Sequence, residues 1–196
     1  MRRLHPVGRH ETPVDEGAIR HPDGALEQAT THALPGGRHV VRVEEADGAL
    51  WHLTLDEAGR PERLQARWRE GERVVEATLT VFEDEVLVWR RGAEPASEAV
   101  ATPPDCRLLW PPIAGRERCL TGVAAEGPAP VACLLVRRRP AARGGLTVRP
   151  VKFTAERVDG GLELRTPGRP AARLEVDAAG RLRAWREGDI LYVRAG

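Results

Sequence analysis

Between His39 and Arg90, apolar and polar side chains alternate with a period of two, and short turn sequences interrupt the alternation repeatedly. Val41 and Val43 alternate with Arg42 and Glu44, Asp47-Gly48 supplies a tight turn, and Trp51, Leu53 and Leu55 then alternate with His52, Thr54 and Asp56. Successive strand side chains point to opposite faces, so this is the pattern of a hairpin with one buried face and one wet face. Gly59-Arg60-Pro61 turns the chain again; Leu64, Ala66 and Trp68 then share one face while Arg63, Gln65, Arg67 and Arg69 share the other. After Glu70-Gly71 come Val75, Ala77, Leu79 and Val81, and beyond Glu83-Asp84 a further strand runs from Val86 to Arg90. Consecutive strands with short turns predict an antiparallel meander.

On either side the pattern weakens. Residues 1–38 are rich in Pro, Gly, His and charge, and only Ala25 to Leu34 reads as a short helix, so this stretch is expected to be an arm laid across a larger body. Residues 92–115 hold Pro95, Pro103, Pro104, Pro111 and Pro112, which cannot donate to a ladder; a connector or sheet edge is predicted there. Strands are expected to resume near Cys119 and from Val131 to Val136.

The end of the chain echoes the meander. Leu53 to Arg60 reads LTLDEAGR and Leu174 to Arg181 reads LEVDAAGR; Trp68-Arg69-Glu70-Gly71 returns as Trp185-Arg186-Glu187-Gly188. Glu44 to Leu50 likewise matches Glu156 to Leu162. These matches predict one duplicated β domain, residues 39–196, with halves 39–92 and 148–196 and a connector 93–147. The fold class is mainly β, with little helix: a meander duplicated into two curled sheets, a spiral β-roll or open barrel-like form. The two tryptophans disagree in phase, since Trp68 shares a face with Leu64 and Ala66 whereas Trp185 falls opposite Leu182 and Ala184 unless a bulge intervenes.

Two curled sheets related by duplication, and the segment Leu174-Glu175-Val176-Asp177-Ala178-Ala179-Gly180 before a short final strand, resemble the bacterial glycolipid-binding family, which has a spiral β-roll fold. The similarity covers residues 39–92 and 148–196. It implies a β-roll with an apolar groove and a lipid-like ligand, and it transfers no binding residue.

Composition removes several classes of function. Thirty basic side chains against 29 acidic ones leave a formal net charge of +1, so no global field recruits nucleic acid. Met1-Arg2-Arg3 is followed by His5, Pro6, Gly8 and His10 with no apolar run, and no window approaches the ~20 apolar residues of a membrane span, which predicts a cytoplasmic protein without stable membrane insertion. Cys106, Cys119 and Cys133 are widely spaced and odd in number, the pattern of buried thiols. No phosphate loop, dinucleotide fingerprint or His-Glu-x-x-His occurs, Ser97 lacks a glycine elbow, and no cofactor or metal is expected. His5 and His10 with Glu11 or Asp15 offer metal-ligating types, but in a segment without periodicity that would bring them together.

Two features carry chemistry. Between Gly127 and Ala155, Arg137, Arg138, Arg139, Arg143, Arg149 and Lys152 occur without an acidic residue, enough to hold a phosphate or carboxylate head or simply to guard a sheet edge. The five tryptophans, Trp51, Trp68, Trp89, Trp110 and Trp185, all lie in or beside strands, where indoles serve a core or line a groove. The candidate binding set is therefore those tryptophans with Arg137, Arg139, Arg143 and Lys152. The function expected from it is noncatalytic binding of an amphipathic or lipid-like ligand. An interaction scaffold, or an enzyme using Asp56 or Asp177 as general base, are the alternatives.

Overall fold

The structure, a computed structural model, describes residues 10–91, 96–120, 122–123, 127–140 and 145–195. The meander predicted from the alternation is present: β3 (His39–Glu44), β4 (Leu50–Leu55), β5 (Pro61–Glu70), β6 (Arg73–Val81) and β7 (Glu85–Arg91) pair antiparallel in chain order. β8 (Ala96–Ala101) extends it, and β9 (Arg107–Leu109) follows; these two strands, from the proline-rich stretch, are the outermost strands of the whole sheet.

The N-terminal stretch departs from expectation. Thr12–Arg20 and Leu26–Ala33 are strands β1 and β2, and no helix forms at Ala25 to Leu34. The reason is visible in what β2 buries: Glu27 and Thr31, polar residues whose alternation with Gln28 and Thr30 a hydrophobicity pattern does not register. Instead of lying across the body, β1 stands inside the sheet and pairs with β15 (Ile190–Ala195), the last strand. The ladder runs from Ala18–Ala195 to Arg20–Val193.

The second meander consists of β10 (Ala129–Arg138), β11 (Leu146–Val158), β12 (Gly161–Arg165), β13 (Ala172–Val176) and β14 (Leu182–Glu187), returning through β15. β10 covers Val131 to Val136, where a strand is expected, and extends it at both ends. Cys119, expected near a strand, instead closes the single-turn helix α1 (Arg116–Cys119), which begins at Gly115 in the left-handed region. Because β1 joins β15, the two curled sheets are one continuous 15-stranded sheet running from β8 to β9. It rolls on itself: Arg90 Nε on β7 donates to Leu146 O at the start of β11 at 2.9 Å, yet among the described residues the edges β8 and β9 do not pair, and the roll stays open.

The inner face buries Trp51, Leu53, Leu64, Trp68 and Leu79 from one meander and Leu134, Leu146, Leu164 and Trp185 from the other. Each such side chain contributes ~1.5–3 kcal/mol relative to exposure. The matched LTLDEAGR and LEVDAAGR segments fold alike. Asp56 Oδ1 accepts from Ala58 N and Arg60 N at 2.9 and 2.8 Å, and Asp177 Oδ1 accepts from Ala179 N and Arg181 N at 2.9 and 3.0 Å. Both turns are followed by a register shift, between Thr54 and Leu55 in one ladder and between Glu175 and Val176 in the other. That bulge inserts Arg183 and brings Leu182 and Trp185 onto one face. Counted from the two aspartates, Trp185 occupies the place of Leu64, so the two tryptophans are not register equivalents.

Candidate functional site

The site grows from strand β10. Alternation sends Leu134, Val136 and Arg138 to one face, where Arg138 Nη1 meets Asp47 Oδ2 at 2.6 Å and the guanidinium lies 5.5 Å from the Trp68 ring centroid. Arg137 goes to the other face. β9 pairs with β10 only from Cys133 to Leu135, so Arg137 emerges where the ladder has ended.

There a groove of about 430 Å³ opens between the ends of β9 and β10, the β12–β13 turn and β14. Its apolar lining includes Trp110, Phe153, Leu164 and Trp185; its polar lining includes Arg116, Arg137, Arg138, Arg139 and Arg169, with Glu187 the carboxylate among them. Arg137 is held below the usual arginine range by partial desolvation and by the neighbouring charges of Arg169, Arg149 and Arg139. Among the described residues Arg137, Arg139 and Arg169 enter no ion pair, in contrast to Arg138.

Arg116 forms one wall and is fixed by the backbone. Its Nε donates to Pro112 O at 3.1 Å and its Nη2 to Trp110 O at 2.9 Å, while its Cζ stacks 4.4 Å from the Trp185 ring centroid. Burial lowers its pKa, and the charges of Glu27 and Glu187 oppose that effect. The loop that carries it is clamped from β2, because Ile113 N and Ala114 N both donate to the Glu27 carboxylate, at 2.9 and 3.0 Å. Gly115 is required next: its φ is 83°, and a Cβ there would stand 2.7 Å from Val41 Cγ1.

Of the residues singled out in the sequence, Trp110, Trp185, Arg137 and Arg139 come together in this groove. Trp51 and Trp68 stack at 6.2 Å in the core, and Trp89 stands 42% exposed on the outer face of β7. Lys152 is exposed on β11 and is not part of the lining; Arg143 lies outside the described residues. Sequence reasoning missed Arg116, Arg169, Phe153 and Glu187, which come from a helical turn, a tight turn and two other strands and share no local pattern.

The residues named for the enzyme and metal readings have other duties. Asp56 and Asp177 are depressed below the usual carboxylate range; for Asp177 the backbone N–H of Arg181 leads, and for Asp56 its hydrogen bonds with Arg60 and Ala58 outweigh burial. Such groups are poor general bases near neutrality. Glu11 accepts from Arg42 through both oxygens at 2.8 Å and Asp15 pairs with Arg194, while His5 lies outside the described residues. The three thiols are buried and free; burial pushes Cys133 up to about 12 and Cys119 higher, and Cys106 also upward, the reverse of a reactive thiolate. Among the described residues no helix is long and apolar enough to cross a membrane.

Fold and groove together define a mainly β, open-roll protein with a basic, aromatic-floored cleft. No family model and no curated protein matches the chain. Among solved structures, the crystal structure of a DUF1089 family protein from Pseudomonas aeruginosa is similar, with a TM-score of 0.52 and 15% sequence identity over 95% of this chain and 97% of that one. At that identity the likeness is one of fold.

Proposed function

We propose that this protein is a noncatalytic binding module for an amphipathic, lipid-like molecule, the class to which the glycolipids implied by the sequence resemblance belong. The observation that carries the reading is the groove beside β10, where buried aromatic and aliphatic side chains lie under a rim of arginines, of which Arg137, Arg139 and Arg169 form no ion pair among the described residues. An apolar chain in such a cleft gains about 0.8 kcal/mol per buried methylene, so useful affinity needs few polar contacts. Its volume is in the range of small-molecule sites, about 300–1,000 Å³. Nothing in the lining pairs a nucleophile with a base. Native mass spectrometry of the purified protein, before and after delipidation and addition of single-chain amphiphiles, tests this. A saturable one-to-one adduct is expected, and the absence of an adduct with every amphiphile offered would remove the reading.

A further inference from the structure

We infer that the head of this ligand is an acidic oxyanion of the phosphate type, not a neutral polyhydroxyl group; the inference rests on the groove being a ligand site. The argument is a count of donors against acceptors. A guanidinium carries only donors, and Arg137, Arg139 and Arg169 line one rim without an ion pair among the described residues. Two further donors sit on lining residues: the indole N–H groups of Trp110 and Trp185 are buried and have no acceptor among the described residues. Buried polar groups are paired in the great majority of native proteins, and these two indole N–H groups stand unpaired on residues that line the cleft.

Acceptors are scarce by comparison. Glu187 and the Thr166 hydroxyl contribute side-chain oxygens, and the carbonyls of Trp110, Pro111 and Pro112 are already taken by Arg116. Sugar hydroxyls both donate and accept, so a neutral sugar would leave its own donors poorly matched against a wall of donors. A phosphate monoester offers only acceptors as the dianion and pairs with guanidinium in a bidentate way. Electrostatics agrees: Arg169, Arg149 and Arg139 repel Arg137, a repulsion that a bound dianion reverses. The oxyanion has two sources, a lipid head or free phosphate.

Isothermal titration below micellar concentrations with dodecyl phosphate, dodecyl maltoside and inorganic phosphate distinguishes them. The inference predicts that dodecyl phosphate binds one-to-one at least tenfold more tightly than the maltoside, and that raising the salt weakens it. Arg137→Gln combined with Arg169→Gln, with an unchanged melting temperature, should cost dodecyl phosphate at least tenfold and leave the maltoside unaffected. Inorganic phosphate binding as tightly as dodecyl phosphate would support the oxyanion site while removing the chain, and with it the lipid reading. Equal affinity for phosphate and maltoside would overturn this inference and leave the amphiphile site standing. No binding of any probe would overturn both.

Discussion

Glu27 and Ile113 are 86 positions apart in sequence, yet the Ile113 N–H donates to the Glu27 carboxylate at 2.9 Å, in a buried setting on the path between the two meanders. Ala114 N and His21 Nε2 share the same carboxylate, at 3.0 and 2.7 Å. A carboxyl group buried this deeply is tolerated because it is fully hydrogen-bonded, and through it the strand β2 fixes the loop that carries Arg116 into the groove.

Glu27→Ala should therefore be among the costly substitutions in the chain. It orphans two buried backbone N–H groups at about 1–3 kcal/mol each, so a loss of about 3 kcal/mol or more is expected. In a protein of this size that lowers Tm by about 6–12 °C, measurable by scanning calorimetry. A change within about 2 °C would mean the clamp is not structural.

Glu117, on the next turn, gives a pH signature. Burial raises its pKa to about 7 despite the nearby charges of Arg118 and Arg194, with Asp15 adding to the rise. The folded protein then holds a proton that the unfolded chain releases near the ordinary carboxyl value of 4.5, so this group's contribution to stability falls as pH rises from about 4.5 to 7 and is fully lost above that. The full effect is about 3 kcal/mol. Urea unfolding at pH 5 and pH 8 should show Glu117→Gln losing less stability over the interval than the parent. If the two lose equally, Glu117 is not the group responsible.

Arg138 and Arg137 line the same groove, but only Arg138 is tied to carboxylates. Arg138→Gln removes the Asp47 and Glu45 contacts and the stacking on Trp68, which at a half-exposed ion pair costs about 1 kcal/mol. Chemical denaturation should register that loss, while amphiphile affinity falls less than in Arg137→Gln, because Arg138 also lines the groove but is tied to Asp47 and Glu45. The reverse result, unchanged stability with affinity lost as fully as in Arg137→Gln, would mean that Arg138 serves the ligand and not the contacts with Asp47 and Glu45.

At Gly161 the two turn copies differ. A Cβ there would lie 1.8 Å from Leu174 O, main chain of the paired strand β13, whereas Ala49, its sequence counterpart, buries its methyl with 1% exposure. Gly161→Ala is expected to cost about 3 kcal/mol by forcing β12 from β13. Ala49→Gly should cost about 1 kcal/mol. Thermal melts that rank the two in the opposite order would contradict the register described for β12 and β13.

The meander from β3 to β7 was legible because its inward residues, Val41, Leu53, Leu64 and Leu79, are apolar and its outward ones are not. β1 and β2 were hidden because the faces they bury carry Asp15, Gly17, Glu27 and Thr31, none of them apolar side chains of size; Asp15 and Glu27 are held by an ion pair and by hydrogen bonds that hydropathy does not record. The phase of Trp185 depended on a bulge at Arg183, a backbone feature with no side-chain signature. Half of the groove was legible, since Arg137, Arg139, Trp110 and Trp185 stand out by type. Arg116 and Arg169 reach it only through the rolling of the sheet, which is a long-range property of the whole strand order.

The most direct measurement of the central claim uses the five indole N–H signals in a proton–nitrogen correlation spectrum, assigned by single Trp→Phe variants. On titration with dodecyl phosphate, the signals of Trp110 and Trp185 should shift and saturate together while the exposed Trp89 stays still. Shifts confined to Trp89, or none at all, would contradict a ligand seated in the groove beside β10.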